Sequence, residues 1–71
     1  MKYLLQESST PGYWVFTDTE YKIVITFKEH EYNDTQKVTV LEDGETNPLV
    51  LARIMREMSD WLLRHHVDKV F

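Results

Sequence analysis

The chain has 71 residues, a net charge of -4 and no cysteine. That length holds one domain with a small core and a thin stability margin, residues 1 to 71 forming a single unit. The absence of cysteine excludes disulfides and thiolate metal sites, and no run approaches the roughly 18 apolar residues of a membrane span. Charge is unevenly spread: residues 1 to 46 carry four lysines against nine acids, and residues 47 to 71 carry four bases against three acids. The acidic balance disfavours general nucleic-acid affinity and leaves room for a local basic patch.

In chain order, MKYLLQESSTPG has too short an apolar run for a signal peptide, which points to a cytoplasmic protein. Residues 2 to 5 (KYLL) suit a short edge strand. Ser8-Ser9-Thr10-Pro11-Gly12 is a turn by composition. Residues 13 to 17 (YWVFT), 21 to 29 and 36 to 41 (QKVTVL) read as strands, rich in β-branched and aromatic residues between polar breaks. A first hairpin centred on Thr19-Glu20 pairs Phe16 with Ile23 and Trp14 with Ile25. Those four then share one face with Phe27. A second hairpin turning at Tyr32-Asn33-Asp34 places Val38 and Val40 with Ile25 and Phe27 on that face. Asn33-Asp34-Thr35 matches a glycosylation pattern but reads as a loop, since no secretory signal precedes it.

The opposite face collects Tyr13, Val15, Thr17, Lys22, Val24, Thr26, Lys28, Lys37, Thr39 and Leu41. Tyr13, Lys22, Lys28 and Lys37 are candidate nucleic-acid-binding residues, because lysines and an aromatic ring on an open sheet can meet phosphates and stack on a base. Sheet-reading DNA-binding domains of plants and integrase arm-binding domains share this gross outline. The simpler account is that an exposed antiparallel face is polar by default, with lysine and threonine keeping it wet.

Leu41-Glu42-Asp43-Gly44-Glu45 closes the sheet at an Asp-Gly turn. Asn47 then suits a helix N-cap and Pro48 the first helical position. At about 100° per residue, Val50, Leu51, Ile54, Met55, Met58, Trp61, Leu62 and His65 gather on one side, with Arg53, Glu57, Asp60 and Arg64 opposite. Without a closing glycine the helix ends anywhere from His66 to Val70. The fold class is α+β: a two-layer domain with a three-stranded antiparallel meander, four-stranded if residues 2 to 5 join. The C-terminal helix packs on one face.

A second apolar stripe, Leu63, Val67 and Val70 at i, i+4, i+7, lies away from the sheet. These three are the candidate protein-interface residues, and homo-oligomerisation is expected because a small core gains from it. The competing arrangement folds residues 67 to 71 back as a tail, with Val67, Val70 and Phe71 covering the core edge.

Chemistry-bearing residues are sparse. His65 and His66 diverge by about 100° on a helix and cannot converge on one ion as an i, i+4 pair does. Glu29, Glu31, Glu42 and Asp43 flank turns and read as solvated charge. Ser8, Ser9 and Ser59 lie outside any glycine-flanked elbow, and Gly12 and Gly44 make no phosphate-cradling loop. No cofactor or metal is implied. A non-enzymatic interaction or regulatory protein is expected, with the lysine-face nucleic-acid module as the alternative.

Met1-Lys2-Tyr3 followed by Gly12-Tyr13-Trp14-Val15 resembles the opening of HicB-type antitoxins, where an N-terminal strand precedes a Gly-Tyr-Trp-Val-like second strand. The resemblance spans about a fifth of the chain. That family then has Pro-Asp-x-Pro-Gly leading into a helix, whereas Thr17-Asp18-Thr19-Glu20 leads into a strand. The resemblance implies a small acidic protein that neutralises a basic partner.

Overall fold

The computed structural model describes residues 2–71. Met1, part of the antitoxin-like opening, lies outside the described residues. Four strands, β1 (Tyr3–Glu7), β2 (Tyr13–Asp18), β3 (Ile23–Lys28) and β4 (Lys37–Val40), form one antiparallel sheet in the order β1-β2-β3-β4. A long helix, α2 (Pro48–His65), follows the sheet, and two single-turn helices, α1 (Tyr32–Thr35) and α3 (Val67–Val70), complete the chain. The two-layer α+β class expected from the periodicities is the one observed, and residues 3 to 7 supply the fourth strand.

The parity holds, but the first register moves. Phe16 stands opposite Ile25 and Trp14 opposite Phe27, two residues along from the pairing that a Thr19-Glu20 turn requires. A two-residue hairpin loop needs positive φ, which Thr and Glu resist. The chain instead uses a four-residue turn, residues 19 to 22, where only Lys22 takes positive φ (58°). Asp18 fixes this turn, its Oδ1 accepting from the N–H groups of Glu20 and Tyr21 at 3.0 Å each. An even shift keeps every side chain on its face. As a consequence Tyr21 and Lys22 belong to the turn and β3 begins at Ile23.

The second connection also differs. Residues 32 to 35 form a helical turn, and Val38 stands opposite Ile25 and Val40 opposite Ile23. Phe27 therefore has no partner on β4. Tyr32 covers it edge-on, with ring centroids 5.0 Å apart, and its hydroxyl meets Ser59 Oγ of α2 at 2.8 Å. Thr35 Oγ1 accepts from Lys28 N–H at 2.8 Å and donates to Glu31 C=O at 2.7 Å, tying the turn to the end of β3.

Helix α2 begins as its sequence dictates. Asn47 Oδ1 accepts from Leu49 N–H at 3.0 Å and Pro48 opens the first turn. Ile54, Met58 and Leu62 meet Phe16, Ile23, Ile25 and Phe27 to form the core, which Tyr32 and Val70 complete. Burying each such side chain contributes about 1.5–3 kcal/mol. The helix stops at His66, whose φ of -141° leaves the helical region. The chain then makes α3 and returns Val70 to the core, while Lys69 C=O accepts from His30 N–H at 2.8 Å. His65 is exposed beside Trp61, with centroids 4.8 Å apart, and does not lie within the apolar face.

Candidate interaction surfaces

With a single helical layer, one side of the sheet stays open. Its outward residues are Leu4 and Gln6 on β1, Tyr13, Val15 and Thr17 on β2, Val24, Thr26 and Lys28 on β3, and Lys37 and Thr39 on β4, each opposite in parity to the buried set. None is acidic, so the strand charge on this face is carried by lysine. Tyr13 stands directly opposite Lys28, and Lys37 stands opposite Thr26 in the next row. The structure thus brings Tyr13, Lys28 and Lys37 together. Lys22 is separated from them: it is exposed in the turn at the other end of β3, six residues or roughly 20 Å from Lys28. Lys28 also shares its charge with Glu31 at 3.2 Å.

On the helical side the expected stripe is divided. Leu63 is 39 % exposed on α2 and Val67 52 % exposed on α3, whereas Val70 is 1 % exposed. The break at His66 rotates α3 so that Val70 enters the core, which removes it from any interface. The competing tail arrangement is right for Val70 alone, since Val67 and the 65 % exposed Phe71 remain outside. Leu49, at 83 %, projects from the first turn of α2.

A third surface has no counterpart in the sequence reading. Where β1 meets α2, Tyr3, Phe16 and Trp61 form an aromatic cluster with centroid separations of 5.1 to 5.6 Å; Phe16 and Trp61 stack with 13° between their planes. Tyr3 and Trp61 are half-buried, and Glu57, Asp60 and Arg64 rim the shallow hollow beside them. The signal was available in Tyr3 and Leu5 alternating with Leu4 and Gln6, an inward parity for β1 that runs on from β2.

At the other end of the sheet, a shallow hollow is lined by Glu7, Ser8, Pro11, Gly12, Tyr13, Trp14 and Glu29. Trp14 Nε1–H donates to Glu29 Oε1 at 3.1 Å, and Lys69 Nζ lies 5.2 Å from the Trp14 ring centroid. The first contact fixes the Trp14 ring, and the second joins the tail to the sheet. Among the described residues no His, Cys, Asp and Glu group of three is placed to hold a metal ion, and no helix is long and apolar enough to cross a membrane.

No protein-family model, no curated protein and no solved structure matches the chain. The functional reading therefore rests on the surfaces themselves.

Proposed function

We propose that this chain is a non-enzymatic interaction module that acts through protein–protein contacts and self-associates. The observation that carries the reading is the set of large apolar side chains left outside the core. Leu63, Val67, Phe71 and Leu49 stand uncovered on the helical layer. In a domain with so small a core, uncovered apolar area that finds a partner adds stability the monomer lacks. Light scattering across concentration tests it. A dimer or larger species is expected, weakened by Leu63→Asp and Val67→Asp. A strict monomer at high concentration, unaffected by either substitution, removes the reading.

A second reading, a nucleic-acid-binding module on the open face, is favoured by the Tyr13–Lys28 pairing with Lys37 alongside and by the lack of acid among the outward strand residues. It predicts salt-sensitive binding of labelled oligonucleotides that Lys28→Glu and Lys37→Glu abolish and Lys22→Glu barely changes. Wild-type protein that binds neither single nor double strands at low salt ends it.

A further inference from the structure

β1 is an edge strand of the sheet, paired with β2 on one side only. Ser8 N–H donates to Tyr13 C=O at 2.9 Å and Thr19 N–H to Lys2 C=O at 2.8 Å, and these bonds bracket the β1–β2 ladder. Antiparallel ladders alternate, so the even-numbered residues of β1 turn their main-chain groups toward β2, and Tyr3, Leu5 and Glu7 turn theirs outward. Among the described residues, no backbone bond outside the ladders reaches these three.

The usual guards of an edge are missing. The strand YLLQE has no proline, and its five residues pair with β2 in unbroken register. Its one charge is the terminal Glu7. The neighbouring Lys2 is drawn inward, its ammonium 5.4 and 5.2 Å from the Tyr3 and Tyr21 ring centroids and 3.6 Å from Glu20. The opposite edge is less inviting: β4 has only four residues, begins at the exposed Lys37, and has Gly44 packed against its last residue, Val40.

We propose that β1 pairs antiparallel with β1 of a second copy of this chain, about a twofold axis at Leu5, to make one continuous eight-stranded sheet. The proposal rests on the self-association reading, names a second copy as the partner, and adds the β1 edge as a contact beside the apolar side chains of the helical layer. The outward groups match themselves in this register: Leu5 faces the partner's Leu5 and Tyr3 faces the partner's Glu7. About six main-chain hydrogen bonds form. Charge is complementary at both ends, because each Glu7 meets a tyrosine beside the Lys2 ammonium. The same axis brings the half-buried Tyr3 and Trp61 toward their copies. Their rim of Glu57, Asp60 and Arg64 carries both signs, as a self-complementary interface needs.

The test combines sedimentation with amide hydrogen exchange. A dimer is expected in which the Tyr3, Leu5 and Glu7 amides gain protection as concentration rises, while those of Leu4 and Gln6 are protected throughout. Leu5→Pro, which deletes an outward N–H, and Glu7→Lys, which repels Lys2 of the partner, are each expected to weaken the dimer by about tenfold or more. If Leu5→Pro misfolds, Glu7→Lys and the exchange pattern decide. A dimer that ignores Glu7→Lys, leaves the three amides unprotected and dissociates with Leu63→Asp overturns the pairing edge and keeps self-association. A monomer at every concentration overturns both.

Discussion

Tyr32 shows how one side chain sets a turn and a titration together. Burial raises its phenol above the ordinary value of 10.0, and the hydrogen bond with Ser59 pulls only partly the other way. A group whose folded value is raised keeps its proton longer in the folded state. Its contribution is therefore intact below the ordinary phenol value and is lost as pH rises through the folded value. Alkaline titration of stability should show this loss, and Tyr32→Phe should remove that part of it. At neutral pH the same substitution should cost about 1 kcal/mol, the scale of one buried hydrogen bond, measured by urea unfolding. Gly44 makes a steric prediction. A Cβ there would lie 2.7 Å from Val40 Cγ1, 2.8 Å from Leu41 C=O and 3.0 Å from Lys22 C=O. Gly44→Ala should destabilise by about 1–3 kcal/mol through overpacking. The residue types announced a turn at both places. They could not announce these contacts, because Ser59 lies far along the chain from Tyr32 and Lys22 lies far from Gly44.

For the secondary-structure elements, parity was legible and register was not. Ile23, Ile25 and Phe27 alternate with Val24, Thr26 and Lys28, and that alternation alone fixed which side α2 covers. The pairing depended on the turn at residues 19 to 22, where Asp18 captures two backbone N–H groups and Lys22 accepts a left-handed conformation. Lys22→Gly should relieve that strain and raise stability by up to about 1 kcal/mol, less what the unfolded chain gains in freedom. Loss of stability on this change would show that the Lys22 side chain contributes more than its backbone costs. The start of α2 was readable in Asn47-Pro48. Its end was not, because His66 breaks the helix without glycine or proline, and Val70 consequently passed for a surface residue. Leu62→Ala, at the buried centre of the last turns, should cost about 2–5 kcal/mol in chemical denaturation. A cost near zero would place that turn outside the core.

The molecule as a whole is one helical layer on a four-stranded sheet, and this asymmetry leaves one face of the sheet open. The open face could be listed from the sequence because strands alternate. Lys22 stands apart from Lys28 and Lys37 because it lies in the turn before β3, six residues along the chain from Lys28, and shared parity does not bring the two ends of a strand together. Residue type marked residues 2 to 5 as an edge strand, but not which of its backbone groups point outward: the direction of a backbone N–H depends on which neighbour a strand has. Every surface the protein offers depends on which parity faces α2, and thiol labelling reads that directly because the chain contains no cysteine. Ile25→Cys and Thr26→Cys place single thiols on adjacent residues of the third strand. Thr26→Cys should react readily in the folded protein and Ile25→Cys only upon unfolding. The reverse order, with Ile25→Cys labelled fast and Thr26→Cys protected, would contradict the account at its base.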